Sequence, residues 1–266
     1  MSWIASPPGV LSPSQDKLAY VGLGQVYVQD LASGTRWAVP SGGHMVQFSP
    51  DGSRVAWEVA SNDVTNLDRR RWDLWVAGFE GKDSHMVVSG IGGGFIGWTP
   101  NGAGWVFSGR LTSNGDSGVW VKDSSVTQPR LVFPAGQIRS PLLSPGRGWL
   151  AVTVAFSGNE NEDGLWLVRI GSTGSAKRLP AYGSYRWGGE NELLVIPLST
   201  GAEGLPLVAF DAATGSATTV LGLAAAGIPI ANNTWLPAPN GRSMAYLSAD
   251  DMSLWVVALP RVTGSP

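Results

Sequence analysis

Two histidines, His44 and His85, are the chain's whole supply of imidazole, and cysteine is absent. Zinc sites and most nucleophile–base pairs draw on these residue types, so the shortage restricts the chemistry at once. His44 opens an inner-strand segment and His85 falls in an outer strand of the same repeat pattern, which predicts that they share neither a metal nor a triad. Without cysteine there are no disulfides, thiolate metal ligands or cysteine nucleophiles, and no compartment is assigned. Neither a G-x-S-x-G elbow nor an S-x-D-x-G-x-T-W box is present.

Two motifs come closer to chemistry. Gly92-Gly93-Gly94-Phe95-Ile96-Gly97 formally fits G-x-G-x-x-G. A dinucleotide site needs a helix N-terminus to receive the pyrophosphate, and here the strand-like FIGWTP follows. The glycines are therefore expected to form a flexible link between structural repeats, and no cofactor is expected. Asn159-Glu160-Asn161-Glu162-Asp163-Gly164 spaces oxygen ligands two apart before a glycine, as calcium loops do. Asn159, Asn161 and Asp163 are thus the metal candidates. The position where a bidentate Glu would be needed is Ile170, so a solvated acidic loop is the expectation.

The remaining polar chemistry gathers in a few segments: 61–73, 108–118, 157–164, 199–204 and 248–253. They hold half of the chain's 20 acidic residues, among them Asp63, Asp68, Asp73, Glu160, Glu162 and Glu203. Arg69, Arg70, Arg71 and Arg110 form a basic island there. Loops on a rigid scaffold are where binding usually sits. Asp63, Asp68, Arg69, Arg70, Arg71, Arg110, Glu160 and Glu162 are the candidate binding-face residues.

The elements that must position them form a repeat. FSPDGSRVAW at 48–57 is echoed by LSPSQDKLAY (11–20), WTPNGAGWVF (98–107), LSPGRGWLAV (143–152) and APNGRSMAY (238–246). A degraded copy, WGGENELLVI, lies at 187–196. Proline presets one turn angle, and Asp/Asn-Gly tolerates the positive dihedrals of a tight reversal. Each phrase reads as a hairpin, and Asp51 and Asn101 are expected to bond their own backbone. A second phrase tracks the first: VYV, LWV, VWV, LWL, LPL and LWV, centred on Tyr27, Trp75, Trp120, Trp166, Pro206 and Trp255. Four short strands in roughly 40–45 residues is the period of a propeller blade.

The expected fold is all-β, a single six-bladed β-propeller domain over 1–266 with four-stranded antiparallel blades. The blades fall at about 9–39, 44–88, 94–133, 138–179, 183–221 and 228–264, with 1–6 a candidate closing strand in competition with 261–263. Composition agrees: 36 glycines in 266 residues is about twice the usual roughly 7%, and 14% charged residues is well below the usual roughly 25%. Trp75, Trp120, Trp166 and Trp255 are expected in the core between blades, with Trp3, Trp37 and Trp72 as candidates for exposed platforms.

The repeat resembles the TolB-type, WD40-like β-propeller repeat. Ser49-Pro50-Asp51-Gly52 with Val55-Ala56-Trp57, Leu74-Trp75-Val76 and Arg178-Leu179-Pro180 carry the likeness. Thr99-Pro100-Asn101-Gly102 and Pro239-Asn240-Gly241 are looser copies, and the fifth unit departs from the pattern. The resemblance implies a bacterial, often extracytoplasmic binding scaffold, or the propeller of a larger peptidase or membrane protein. The start MSWIASPPG has no basic, apolar, cleavable signal, so that compartment requires an export address already removed.

A net charge of −2 leaves no footprint for nucleic acid, and no apolar run approaches the length of a membrane span. Inner strands offer Met45, Gln47, Phe95, Ser140, Ser184 and Arg186 to a central channel, with no carboxylate pair for hydrolysis. The expectation is a non-enzymatic, monomeric scaffold that binds a protein partner through one loop face. A lactonase- or glycosidase-like hydrolase at the channel mouth is the alternative.

Overall fold

The computed structural model describes residues 9–22, 25–39, 43–61, 68–171, 175–198, 206–221 and 229–260. Every helix or strand among them is a β-strand, and every pairing is antiparallel. Two compact units divide the chain, 1–138 and 139–266.

In the first unit, β1 (Gly9–Leu11), β2 (Lys17–Gly22), β3 (Gln25–Asp30) and β4 (Arg36–Ala38) make a four-stranded meander. A seven-stranded sheet follows: β5 (His44–Phe48), β6 (Arg54–Ala60), β7 (Arg71–Gly78), β8 (His85–Trp98), β9 (Gly104–Arg110), β10 (Ser117–Asp123) and β11 (Arg130–Pro134). The second unit holds β12 (Ile138–Leu143) to β15 (Ala176–Arg178), with β13 (Trp149–Val154) and β14 (Gly164–Arg169) between them. Next come β16 (Gly183–Trp187), β17 (Glu192–Pro197), β18 (Leu207–Asp211) and β19 (Ala217–Leu221). A three-stranded sheet of β20 (Ile230–Pro237), β21 (Ser243–Ser248) and β22 (Leu254–Ala258) ends the chain's described part.

Among the described residues the sheets thus hold 4, 7, 4, 4 and 3 strands, not six sets of four. The seven-stranded sheet has a local cause. Residues 85–91 of β8 pair with β7, while 91–98 pair with β9, and Ile91 has a partner on each side, Arg71 and Arg110. One strand closes one meander and opens the next. The glycine run expected as a flexible link lies within this single strand: Gly94 pairs with Ser108, while Gly92 and Gly93, both left-handed, form the bulge between Ile91 and Gly94. For the last sheet, both proposed closing segments, 1–6 and 261–263, lie outside the described residues.

The recurrent turn is architecture. Gln15, Gly52, Gly102, Arg147 and Gly241 donate their amides to the carbonyls of Ser12, Ser49, Thr99, Ser144 and Ala238 at 2.8–2.9 Å. All five have left-handed backbones, φ 59°, 72°, 67°, 63° and 65° respectively. This is a tight turn closed by a left-handed residue, a geometry that suits a short hairpin. The leading serines are buried, and Ser12, Ser49 and Ser144 accept the amides of Lys17, Arg54 and Trp149 at 3.0 Å. As expected, Asp51 and Asn101 accept the amides of Ser53 and Ala103, at 3.1 and 3.0 Å. The Ser49 hydroxyl on its carboxylate is the largest influence holding Asp51 down at about 2. Asp30 and Asp211 start two further hairpins in the same manner, accepting Ser33 and Thr214 amides at 2.7 Å.

Core formation revises the tryptophan assignment: Trp75 and Trp120 pack against the margins of core clusters rather than at their centres. Trp75, Trp120 and Trp166 are only half-buried, and Trp255 is 52% exposed. Side chains alternate along a strand, so the centre of L-W-V faces away from its neighbours. The neighbours Leu74, Val76, Val119, Leu165 and Leu167 occupy the core, whereas in β22 Leu254 and Val256 are exposed along with Trp255. Trp72 is in phase with Leu74 and Val76, which makes it a core residue, 1% exposed, rather than a platform. It packs with Ala56, Phe95, Trp98, Trp105 and Phe107. Trp37 is half-buried, edge-on to Phe79 with centroids 5.7 Å apart, and Trp3 lies outside the described residues.

First strands of successive sheets lie side by side within each unit. Gln47 of β5 donates to the Ile96 carbonyl of β8 at 3.0 Å. In the second unit, Tyr185 of β16 donates to Ser140 of β12 at 2.5 Å, and Trp235 of β20 to Ser184 of β16 at 2.7 Å.

Candidate binding face

The loop face of the first unit is assembled on a carboxylate that the alternation of β6 does not reveal. Glu58 is 1% exposed, because β6 is covered on both sides. Its Oε1 accepts Arg70 Nη2 at 2.8 Å and its Oε2 accepts the Phe95 amide at 2.8 Å. A side chain at Gly94 would place its Cβ 2.5 Å from Glu58 Oε2, so the glycine opens the path for this contact. Burying a carboxylate is costly unless it is paired and hydrogen-bonded, and both conditions are met here. The other Arg70 atom of note, Nε, is buried with no hydrogen-bond partner among the described residues.

From this anchor the loops knit together. The Gly92 amide donates to the Arg70 carbonyl at 2.8 Å, and Trp72 Nε1 donates to the Gly92 carbonyl at 2.7 Å. Arg110 Nη2 reaches the Asp68 carbonyl at 2.9 Å, while Gln137 Nε2 lies 3.5 Å from Asp68 Oδ2. The expected meeting of the 61–73 and 108–118 segments is thus present through Asp68 and Arg110. Arg69 and Arg71 stay exposed on either side of the anchored Arg70. Beside Arg71 lies a pocket of about 370 Å³ whose walls include Trp72, Asp73, Ser89 and Leu111. Ser89 donates to Asp73 at 2.5 Å within its wall. Asp63 lies outside the described residues.

Arg70 is the residue the sequence misplaces. As one of three successive arginines it reads as a surface contact, yet its charge is spent on a buried acid from another strand. A signal was present: Glu58 is the one acidic residue in the otherwise apolar stretch Val55–Ala60 of this strand.

The remaining candidates lie in the second unit or on first strands. Glu160 and Glu162 are exposed. Asp163 turns its oxygens inward to the amides of Phe156 and Ser157, at 3.1 and 3.0 Å, and the Ser157 amide is the main reason its carboxyl is held low. Asn159 Oδ1 accepts the Asn161 amide at 3.1 Å. The loop satisfies its own backbone with the oxygens a cation would need, and no group of three His, Asp or Glu side chains converges among the described residues. Phe95 is buried in the core cluster rather than lining a channel. Met45 and Ser140 both have left-handed backbones, φ 57° and 48°. His85 Nδ1 lies 2.8 Å from the Asp83 carbonyl.

No family model and no curated protein matches the sequence. Solved structures do resemble the fold. TolB from Acinetobacter baumannii superposes with a TM-score of 0.52 at 16% identity, over 80% of this chain and 53% of its own. This chain therefore spans about half the length of that protein. An oligogalacturonate lyase in complex with manganese gives 0.66 at 15% identity, over 96% and 77%. The β-propeller domain of the Trilobed protease from Pyrococcus furiosus gives 0.58 at 13% identity, over 90% and 76%.

The likeness establishes the fold class, all-β and of propeller type, with TolB among the similar structures. The expectation of a non-enzyme is corrected by the same comparison. A lyase shares the fold over nearly the whole chain, so the architecture and the missing triad give no ground for excluding catalysis.

Proposed function

We propose that the chain is a ligand-recognition propeller of six repeats, at about 9–39, 44–88, 94–133, 138–179, 183–221 and 228–264. In this reading residues 1–6 supply the strand that completes the last sheet. The domain engages a protein partner through the face carrying Asp68, Arg69, Arg71 and Arg110, and works as a monomer outside the cytoplasm, as its TolB-like repeat implies.

The supporting observation is the anchoring of Arg70. It fixes the loop to Glu58 and the β8 backbone, and leaves Arg69 and Arg71 exposed on a held segment. Arginines presented this way lose less freedom on binding, and their planar forks suit carboxylates and aromatic faces. Asp68 adds an acceptor held by Gln137.

The test is quantitative capture from the source cell with the purified domain as bait. Arg69→Ala/Arg71→Ala should keep the melting temperature within a few degrees and deplete the captured species. Gln128→Glu should capture as the parent does; it lies on the opposite side, in the exposed turn beside 99–103 where the Ser124 amide bonds the Ala103 carbonyl at 2.8 Å. The reverse pattern would move the site to the turn face.

A further inference from the structure

We propose that Arg186 and Asn233 form a binding site for the carboxylate of a small soluble acid, at the first-strand edge of the second unit. The inference is independent of the loop-face reading.

Residues 184 and 186 are two apart on β16, so they share one face, while Tyr185 and Trp187 turn to the core. On that face the Arg186 guanidinium lies over the Trp235 ring, 5.4 Å from its centroid. Its Nη1 donates to the Tyr185 carbonyl at 2.7 Å, and its Nη2 stands 3.5 Å from the Asn233 carbonyl. Among the described residues it has no carboxylate partner. A half-buried guanidinium normally finds one, and partial desolvation here lowers its pKa, with only the nearby Tyr185 hydroxyl acting the other way. The planar fork keeps donors unspent.

Asn233 presents the second donor. Its backbone is left-handed, φ 60°, within a bulge that shifts the register of β20 between Ile230 and Trp235. Bulges re-aim side chains, and Asn tolerates this conformation. The Trp235 indole can only donate; its N–H lies 2.7 Å from Ser184 Oγ and 3.1 Å from Asn233 Oδ1, and the Ser184 hydroxyl donates to the same Oδ1. This arrangement turns the amide oxygen toward Trp235 and Ser184, and the NH2 has no partner among the described residues.

A cation with spare donors therefore stands beside an amide NH2, with no acid in reach among the described residues. A ligand with one negative charge and two coplanar acceptor oxygens matches this set. A tetrahedral dianion would need more donors and more positive charge than one arginine supplies.

The experiment is NMR titration of the whole chain, following the Trp235 indole and Arg186 Nε–H signals. Probes are sodium acetate, sodium phosphate and sodium chloride at matched ionic strength. Acetate should give saturable shifts at both signals, with weaker effects from phosphate and none from chloride. Arg186→Gln should weaken acetate binding roughly tenfold or more. Asn233→Asp keeps acceptors for Ser184 and Trp235, tolerates the backbone, and supplies an internal carboxylate, so it should abolish the response with the fold intact. No saturable acetate shift, an equal response to chloride, a stronger one to phosphate, or an unchanged response in Asn233→Asp would each overturn the assignment.

Discussion

Arg70, just before β7, donates to Glu58 of β6 at 2.8 Å, and that bond ties the longest loop of the first unit to its buried interior. Removing the arginine strands a carboxylate whose side chain is 1% exposed. Breaking such a pair from one side typically costs about 3–5 kcal/mol, whereas replacing both partners by apolar groups is often tolerated. Arg70→Ala should therefore lower the urea midpoint substantially, and Glu58→Leu/Arg70→Met should recover part of the loss, the Phe95 amide being left without its acceptor. Arg69→Ala is the reference, and equal midpoints for Arg69→Ala and Arg70→Ala would contradict the anchoring role.

Trp72 and Trp75 make a second comparison within one strand. Trp72 is enclosed by Phe95, Trp98 and Phe107, and Trp75 stacks on Trp57 at a 6.4 Å centroid distance while remaining half-buried. Trp72→Ala should cost about 3–5 kcal/mol, as large-to-small changes in packed cores do. Trp75→Ala should cost clearly less, and chemical denaturation of the two variants decides the order.

Turn geometry offers a stabilising change. Gln15 and Arg147 hold φ of 59° and 63° at the place where Gly52, Gly102 and Gly241 stand. A left-handed backbone costs a side-chain-bearing residue roughly 1–2 kcal/mol, offset in part by glycine's greater freedom when unfolded. Arg147→Gly also removes a half-buried guanidinium, whose pKa burial lowers. Both glycine variants are expected to melt a few degrees higher than the parent, and a fall for both would show that these side chains contribute more than their backbones cost.

Acid stability should report the turn carboxylates. Asp51 is held at about 2 in the folded chain, first by the Ser49 hydroxyl and then by the Ser53 amide. The unfolded value is about 3.9. A depressed carboxylate contributes stability that is present above the unfolded value and is lost as pH falls through the folded one. Asp30 and Asp211, lowered by the Ser33 and Thr214 amides, act in the same direction. The melting-temperature gap between parent and Asp51→Asn should therefore shrink from about pH 5 to about pH 2. A gap that stays constant would assign the difference to something other than the charge.

In the second unit, Glu190 accepts the Gly146 and Gly148 amides at 2.5 and 3.0 Å, and Asn191 accepts Trp149 Nε1 at 3.2 Å. The degraded turn W-G-G-E-N-E thus clamps the turn of the preceding sheet. Glu190→Ala leaves those amides to water and should cost about 1–2 kcal/mol, read as a lowered urea midpoint. Parent-like stability would show the clamp to be idle.

The local grammar of this protein was legible residue by residue. Pro-Asp-Gly and its variants specify turns through backbone angles and one side-chain acceptor, so Ser49 to Arg54 needed no tertiary information. Strand alternation is likewise local, and the phase of Trp72 with Leu74 and Val76 was available even though the repeated Trp75 drew attention away from it. Three features were decided only when sheets came together. Whether Glu58 faces water or interior depends on what covers the second side of β6, a strand's own pattern being silent about its neighbours. Whether the glycines at 92–94 are link or ladder depends on Arg71 and Arg110 arriving from opposite sides to pair with Ile91. Arg186 and Asn233 are far apart in the chain and meet only because two first strands lie adjacent. Turns and alternation follow from short-range sterics, whereas charge pairing and donor convergence are long-range, set by which strands the fold makes neighbours.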